Sequence, residues 1–419
     1  MSEVLITGGK LFLDVDRPVV PGTVWLEGDR IARIMDPDSA REQQAVRDGA
    51  TVIKADGGTV LPGLIDAHTH LGLLSLSGQQ RISPASQAAL IFENLSLALD
   101  EGFTTLRDLG GVDGGLVEAI EAGLVEGPRL LPSGALLSQT AGHGDIRPRY
   151  SCAEANEHTG SDIVRPFRLC DGVDQATKAA REQLRAGATQ LKVHASGGQL
   201  SEGDPIECPQ FSLEELRAFV AVAEDRDTYV TAHCHTPRGI RRALEAGIRC
   251  LEHGTVVDQE TAELIHSYGA FVVPTLTIAE ALRQEPHAWG VTEQMLADSV
   301  ELDATELESV RTLDAVGVEL GSGSDLIGEK QDKRAWEIAL KARLVGAPKA
   351  VASATEVNAR ILGIADNVGS IEVGKIADLI VYRGSNMMDN PEYFMTRRPS
   401  TVLQGGSIIR DREPAGVRL

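Results

Sequence analysis

From Gly63 to about residue 364 the chain alternates short apolar runs with helix-length amphipathic stretches. That alternation is the signature of repeated β/α units around a parallel sheet. Eight strand candidates can be counted: "GLIDAHTH", "TTLRDLG", "RLLPSGALL", "TQLKVHAS", "TYVTAHCH", "RCLEHG", "AFVVPTLT" and "VELGSGSD". Eight is the number that closes a β/α barrel. Between them lie helical stretches such as "SQAALIFENLSLALDEG", "DQATKAAREQLRAG", "SLEELRAFVAVAED" and "PRGIRRALEAG". The first, second and fourth end on Gly, and Ser212 and Pro237 stand where a cap or first helical residue belongs. Before and after this region the texture is different. "EVLITGGKLFL", "GTVWLEGDRIARIM" and "ATVIKADGGTVL" at the start, and "VGSIEVGKIADLIVY" and "PSTVLQGGSIIR" at the end, read as short strands broken by turns. The expected fold is α/β: a (β/α)8 TIM-like barrel over residues 61–364, with a small β-sandwich built from residues 1–60 and 365–419.

Composition narrows the partners. Forty basic against 61 acidic residues give a formal charge of −21, which repels phosphate backbones and anionic membrane surfaces. Nucleic acid and membrane are therefore excluded as expected partners, and a small-molecule substrate is expected. The five cysteines are odd in number and show no CxxC spacing, which fits free thiols in a reducing compartment. The start has no basic region followed by a long apolar stretch, so a cytoplasmic location is expected.

The polar residues fall where chemistry would need them. His68 and His70 end the first apolar run, His233 the fifth, His253 the sixth and Asp325 the eighth, while Lys192 lies within the fourth. Side chains alternate along a strand, so His68 and His70 share a face. In a β/α barrel the C-terminal strand ends surround the active site, so residues 68 to 325 would meet there. Four imidazoles and a carboxylate are ligands that zinc or a similar metal takes. Two long segments, 139–171 and roughly 277–300, have the position of loops that build or cover such a site.

With "PGLIDAHTH" (62–70), Lys192, His233, His253 and Asp325 in this order, the chain resembles the metal-dependent amidohydrolase superfamily, whose hallmark is PGLIDxHxH. "GKIADLIV" (374–381) is similar to that family's returning C-terminal strand. Within the family, "CDGVDQATKAAREQLRAGATQLKVHASGG" (170–198) and "TAGHGD" (140–145) resemble the prolidase-like branch of binuclear dipeptidases, which cleave Xaa-Pro or Xaa-Arg/Lys substrates. The resemblance implies two divalent metal ions of the zinc type. His68, His70 and Asp325 would hold one, His233 and His253 the second, and Lys192, as a carbamate formed with carbon dioxide, would bridge them. It further implies amide hydrolysis by a metal-bridging hydroxide, with Asp325 as general base. His143 would donate a hydrogen bond to the scissile carbonyl or a substrate carboxylate. A homo-oligomer is also implied.

One departure bears on the substrate. Where the dipeptidase branch reads HAYT, with a Tyr contacting the substrate carboxylate, this chain reads "HCHT" and places His235 there. The reading is a dipeptidase or N-acyl amino acid hydrolase. An alternative keeps fold and metals but takes a carbamate, urea, lactone or cyclic amide, and metal-assisted deamination fits Lys192 less well. A non-catalytic scaffold is a more distant alternative. Structural readings stand beside these: Lys192 could snorkel, Asp325 could cap a helix, "GHGD" could be a tight turn, and His194, on the face of Lys192, is read as packing or as support behind the ligands. Arg147, Arg149, Arg165 and Arg168 could grip a carboxylate but are read as solvated surface, and Arg107 and Asp108 as a structural pair. Cys234 should point to the opposite face of its strand from the histidines beside it, and His158, His266 and His287 carry no functional role.

Overall fold

The computed structural model describes residues 3–37, 39–74, 82–147, 150, 163–198, 204–285 and 293–412. Arg149, Cys152, His158 and His287 lie outside the described residues. The chain divides into two compact units. One comprises Met1–Asp66, Ser96–Thr105 and Arg334–Leu419, and the other Ala67–Leu95 and Leu106–Lys333.

In the first unit both ends of the chain share one sheet. Strands β1 (Glu3–Leu11), β2 (Val20–Glu27), β3 (Arg30–Met35), β4 (Thr51–Lys54) and β5 (Thr59–Pro62) come from the N-terminal part. Three more, β15 (Leu379–Tyr382), β16 (Thr401–Gln404) and β17 (Ser407–Asp411), come from the C-terminal part. The strand order is β17-β16-β15-β5-β1-β2-β3, with β4 paired to β1. The join is antiparallel, with Leu379 opposite Pro62 and Tyr382 opposite Thr59. Val4, Ile6, Val24, Leu26 and Val60 from one end pack in a single core with Leu379, Val381 and Leu403 from the other. Within this unit Arg334 and Asp66, both buried, pair at 3.0 Å.

Among the described residues, nine strands lie between the sheet-forming ends. They are β6 (Leu64–Thr69), β7 (Phe103–Asp108), β8 (Arg129–Pro132), β9 (Leu136–Ser138), β10 (Phe167–Leu169), β11 (Leu191–His194), β12 (Val230–Cys234), β13 (Cys250–His253) and β14 (Phe271–Val273), followed by the run at residues 318–325. The nine form sheets in the orders β6-β7-β8 and β10-β9-β11-β12-β13-β14. Among the described residues, the pairings in the longer sheet are parallel. The third apolar run is split into β8 and β9 around Ser133-Gly134-Ala135, where Gly134 adopts φ +70°. The eighth run forms no regular strand among the described residues: its glycines interrupt the ladder, leaving a parallel bridge between Val272 and Leu320. Its backbone still bonds to the first strand, with Ala67 N–H donating to Ser322 O at 2.9 Å and Asp325 N–H to His68 O at 2.7 Å.

The helices follow their signals. Ser212 caps helix Leu213–Glu224 in a full capping box with Glu215. Pro237 opens helix Pro237–Ala246, and Gly247 ends it with φ +108°. Part of the expected long connection at 277–300 is helical instead, Leu276–Gln284 and Glu293–Val316, because its sequence is rich in strong helix formers. No described helix is long and apolar enough to cross a membrane.

Candidate metal centre

All the residues singled out for chemistry lie in the unit formed by Ala67–Leu95 and Leu106–Lys333. Strand β6 delivers His68, and His70 follows one residue beyond its end. Their Nε2 atoms approach to 3.3 Å, and Asp325 Oδ1 lies 3.2 Å from each. Lys192, from β11, is 1% exposed and places Nζ 3.3 Å from His68 Nε2. Strands β12 and β13 bring His233 Nδ1 to 2.9 Å from His253 Nε2, and His253 Nδ1 lies 3.9 Å from Asp325 Oδ2. The six residues expected to act together are thus brought together.

The rings are held from outside. His68 Nδ1 meets Glu252 Oε2 at 2.8 Å, His70 Nδ1 meets Gly110 O at 3.4 Å, and His253 Nδ1 meets Thr275 Oγ1 at 2.8 Å. His233 is turned the other way, with Nε2 on Gly197 O at 3.1 Å. In each ring one nitrogen is engaged and the other faces a neighbouring ligand candidate, the arrangement that orients metal-binding imidazoles. Three groups bring one donor atom from each residue within 4.8 Å of one another: His68–His253–Asp325, His233–His235–His253 and His143–His194–His233.

Electrostatics favours donor forms. Burial, then neighbouring imidazoles, push His233 and His194 well below the ordinary histidine value. Burial, then His235, does the same for His253, and burial with His143 brings His235 down to about 3. His70 is lowered by burial despite Asp325. For His68 burial and Lys192 act downward, yet Asp325 and Glu252 outweigh them and raise it. Asp325 is resisted by burial but held well below the carboxylate range by His68 and His70. Burial lowers the Lys192 amine to about 8. Neutral imidazoles and an ionised carboxylate are the forms that bind a metal. Zinc–nitrogen bonds of about 2.0–2.1 Å set tetrahedral ligands roughly 3.3 Å apart, close to the separation of the His68 and His70 nitrogens. The donor set fits a divalent metal.

Backbone geometry is adapted to this convergence. His253 and Asp325 adopt φ of 70° and 52°, a left-handed conformation costly for non-glycine residues and common where function requires it. Gly323 lets the eighth run approach β6, since a Cβ there would lie 2.4 Å from His68 Cβ. At Gly198 a Cβ would meet the His143 ring at 2.0 Å.

His143 is half-buried, stacks on His233 with centroids 4.6 Å apart, and places Nδ1 3.6 Å from Asp204 Oδ2. His235 is buried, with Nδ1 2.8 Å from Thr255 Oγ1 and its ring stacked on His253. His194, read from sequence as packing or as support behind the ligands, joins His143 and His233 in a donor group, and its buried Nδ1 has no hydrogen-bond partner among the described residues. Arg107 and Asp108 do not pair with each other. Arg107 bonds Glu252 at 2.7 Å, and Asp108 accepts from the backbone N–H of Leu71 and Gly110, because adjacent strand residues face opposite ways. Arg147 pairs with Asp145, and Arg168 with Glu182. Cys234 is buried and belongs to none of the three donor groups.

Glu252 escaped the sequence reading. Strict alternation places it on the face opposite His253, but the left-handed turn at His253 breaks that rule at the strand end and lets both neighbour His68. The one signal was a carboxylate inside an apolar strand, which demands a partner.

Parallel strands whose ends gather buried imidazoles, a lysine and an ionised carboxylate are compatible with a metal site of the kind hydrolases use. The model of the amidohydrolase family matches residues 59–409, and the chain belongs to that family. It is 30% identical over 363 residues to the ochratoxinase of Aspergillus niger, covering 84% of this chain and 75% of the relative. A prolidase solved in complex with N-methylphosphonate-L-proline is 37% identical with a TM-score of 0.89, covering 98% of this chain and 100% of that one. A Xaa-Pro dipeptidase with bound methionine is 28% identical with a TM-score of 0.85, at 98% and 100% coverage. The chain is a hydrolase acting on C–N bonds, and its likeness extends to the prolidase-like branch.

Proposed function

We propose that this chain is a binuclear amidohydrolase that cleaves a dipeptide or an N-acyl amino acid. The observation that carries the reading is the convergence of His68, His70, Lys192, His233, His253 and Asp325 within hydrogen-bonding or near-contact distances. Likeness to a prolidase and a Xaa-Pro dipeptidase supports the substrate class. In this reading the scaffold is a closed (β/α)8 barrel over residues 61–364, flanked by a β-sandwich from residues 1–60 and 365–419. The parallel ladders, the Val272–Leu320 bridge and the bonds from the eighth run to β6 support closure.

His68, His70 and Asp325 would hold one metal and His233 and His253 the other, with Lys192 as a carbamate between them. An ammonium has no lone pair to give, whereas a carbamate has oxygens. The buried amine, lowered to about 8, supports such a modification. Two bound zinc-type ions would supply a deprotonated water at neutral pH and polarise the scissile carbonyl. The chain's own groups do the rest. Asp325, ionised and beside both His68 and His70, accepts a proton at a carboxylate oxygen and returns it to the departing nitrogen. His143, at the half-open edge and oriented by Asp204, donates to the carbonyl oxygen or to a substrate carboxylate. His235 keeps Nε2 for substrate, since its Nδ1 is engaged by Thr255. That imidazole, standing where the branch has a Tyr, favours the second reading of a carbamate, urea, lactone or cyclic amide substrate. Free thiols at all four described cysteines fit a cytoplasmic location.

The test is metal content on protein purified without chelator, together with hydrolysis of a panel of dipeptides, N-acyl amino acids and aryl carbamates. About two metals per chain are expected, with turnover of one class. Asp325→Asn should lower kcat by about 10²-fold or more. Absence of metal and turnover after reconstitution with zinc and bicarbonate would overturn the reading.

A further inference from the structure

Beneath His68 lies a buried ionic group that the proposed chemistry leaves without a task. Arg107 and Glu252 are both 0% exposed. Arg107 Nη2 donates to Glu252 Oε1 at 2.7 Å, Nη1 donates to Tyr229 Oη at 3.2 Å and to Cys250 Sγ at 3.3 Å, and Nε donates to the Ala67 carbonyl. The Thr231 hydroxyl donates to the same Oε1. One oxygen of Glu252 is thus held by the arginine and the threonine. The other, Oε2, lies 2.8 Å from His68 Nδ1.

We propose that Glu252 is a positioning residue for the metal centre, and that Arg107 and Thr231 hold Glu252 in place. The inference rests on the metal-dependent reading above. Glu252 accepts the Nδ1–H of His68, which turns the ring so that the bare Nε2 faces Lys192, His70 and Asp325. The ring of His68 meets three of the centre's groups at 3.2–3.3 Å, so a rotation there would disturb more of the centre than a rotation elsewhere. His70 and His253 are braced by a carbonyl and a hydroxyl, whereas His68 is braced by a carboxylate that is itself charge-paired. Stability alone does not account for this group, because a buried ion pair is often replaceable by apolar side chains without loss. Carboxylate support of a metal-bound imidazole fixes its tautomer and raises its basicity.

The experiment compares wild type with Glu252→Gln and Thr231→Val, each loaded with zinc. Zinc per chain, the rate of zinc loss to dipicolinate, thermal unfolding and the separate values of kcat and KM are recorded. Glu252→Gln is expected to bind zinc about 10–100-fold more weakly, with kcat falling more than KM rises. Thr231→Val, which keeps every charge, should shift zinc retention a few-fold in the same direction. If Glu252→Gln lowers only the unfolding temperature and keeps wild-type zinc retention, the inference is overturned and the group is structural. Should that variant fail to fold, Thr231→Val decides, and unchanged zinc retention there overturns the inference. Wild-type protein that holds no zinc would instead overturn the metal reading, and the inference with it.

Discussion

Five imidazoles in the centre are kept neutral by burial: His70, His194, His233, His235 and His253. Their folded values lie below the unfolded value of about 6.5, so the unfolded chain takes up protons first as pH falls. The stability they contribute is present above about pH 6.5 and is lost as pH falls toward their folded values. His68, whose value is raised, has the opposite sign: its contribution is present below about 6.5 and lost as pH rises through its folded value. Five groups against one set the net direction. For His235, lowered to about 3, the loss at pH 5 is about 2 kcal/mol. Chelator-treated protein should therefore unfold at a lower temperature at pH 5.0 than at pH 7.5, and His235→Gln should shrink the difference. Equal unfolding temperatures at the two pH values would count against buried neutral imidazoles. At this scale the sequence was informative where a residue type and a strand end coincide, as at His68, His70, His233, His253 and Asp325. It was silent on Glu252, and it singled out His194 without its place in a donor group, because hydrogen-bond partners from other strands, and a left-handed φ such as that of His253, leave no periodic trace.

Elements place these residues through backbone approach as much as through side chains. The eighth run lies against β6 because residue 323 has no side chain: an added Cβ would meet His68 Cβ at 2.4 Å, Val273 Cγ1 at 2.9 Å and His68 N at 3.1 Å. Neither a Cβ nor a backbone nitrogen can swing aside as a flexible chain end can. Gly323→Ala must then displace residues 321–325 or β6, at a cost of about 1–3 kcal/mol. Its expected signature is a lower denaturation midpoint together with reduced zinc content, since Asp325 and His68 separate. Wild-type zinc content would show that the two elements are not so tightly joined. Helix boundaries follow from residue chemistry alone, so Ser212 and Gly247 were readable as cap and terminator, and Ser212→Ala should cost about 1 kcal/mol in a denaturation midpoint. The division of the third run at Ser133-Gly134-Ala135 was not readable, because an apolar run looks the same whether it pairs with one neighbour along its length or with β7 first and β11 later.

Across the whole molecule, the two ends of the chain depend on each other within one sheet. Their shared β texture was visible in sequence, but pairing was not, because register across more than 300 residues is chosen by complementary packing rather than by any local pattern. The structure joins them through β5 and β15, with Leu379, Ile380, Val381 and Tyr382 opposite Pro62, Leu61, Val60 and Thr59. Each of these eight residues is buried. Ending the chain at residue 364 would remove β15 to β17, expose the apolar edge of β5 and strip Leu379, Val381 and Leu403 from the core. An unpaired apolar edge invites association with other chains. The truncated protein is therefore expected in the insoluble fraction, although every residue of the metal centre precedes the cut. A milder change isolates the packing contribution. Leu379 is fully buried, so Leu379→Ala should destabilise by about 2–5 kcal/mol in denaturant unfolding. Zinc content per folded chain should remain that of wild type, because Leu379 lies in the first unit and all the ligand candidates lie in the second. Soluble, zinc-binding truncated protein would show that the C-terminal strands are dispensable and that the sheet draws its stability from β1 to β5 alone.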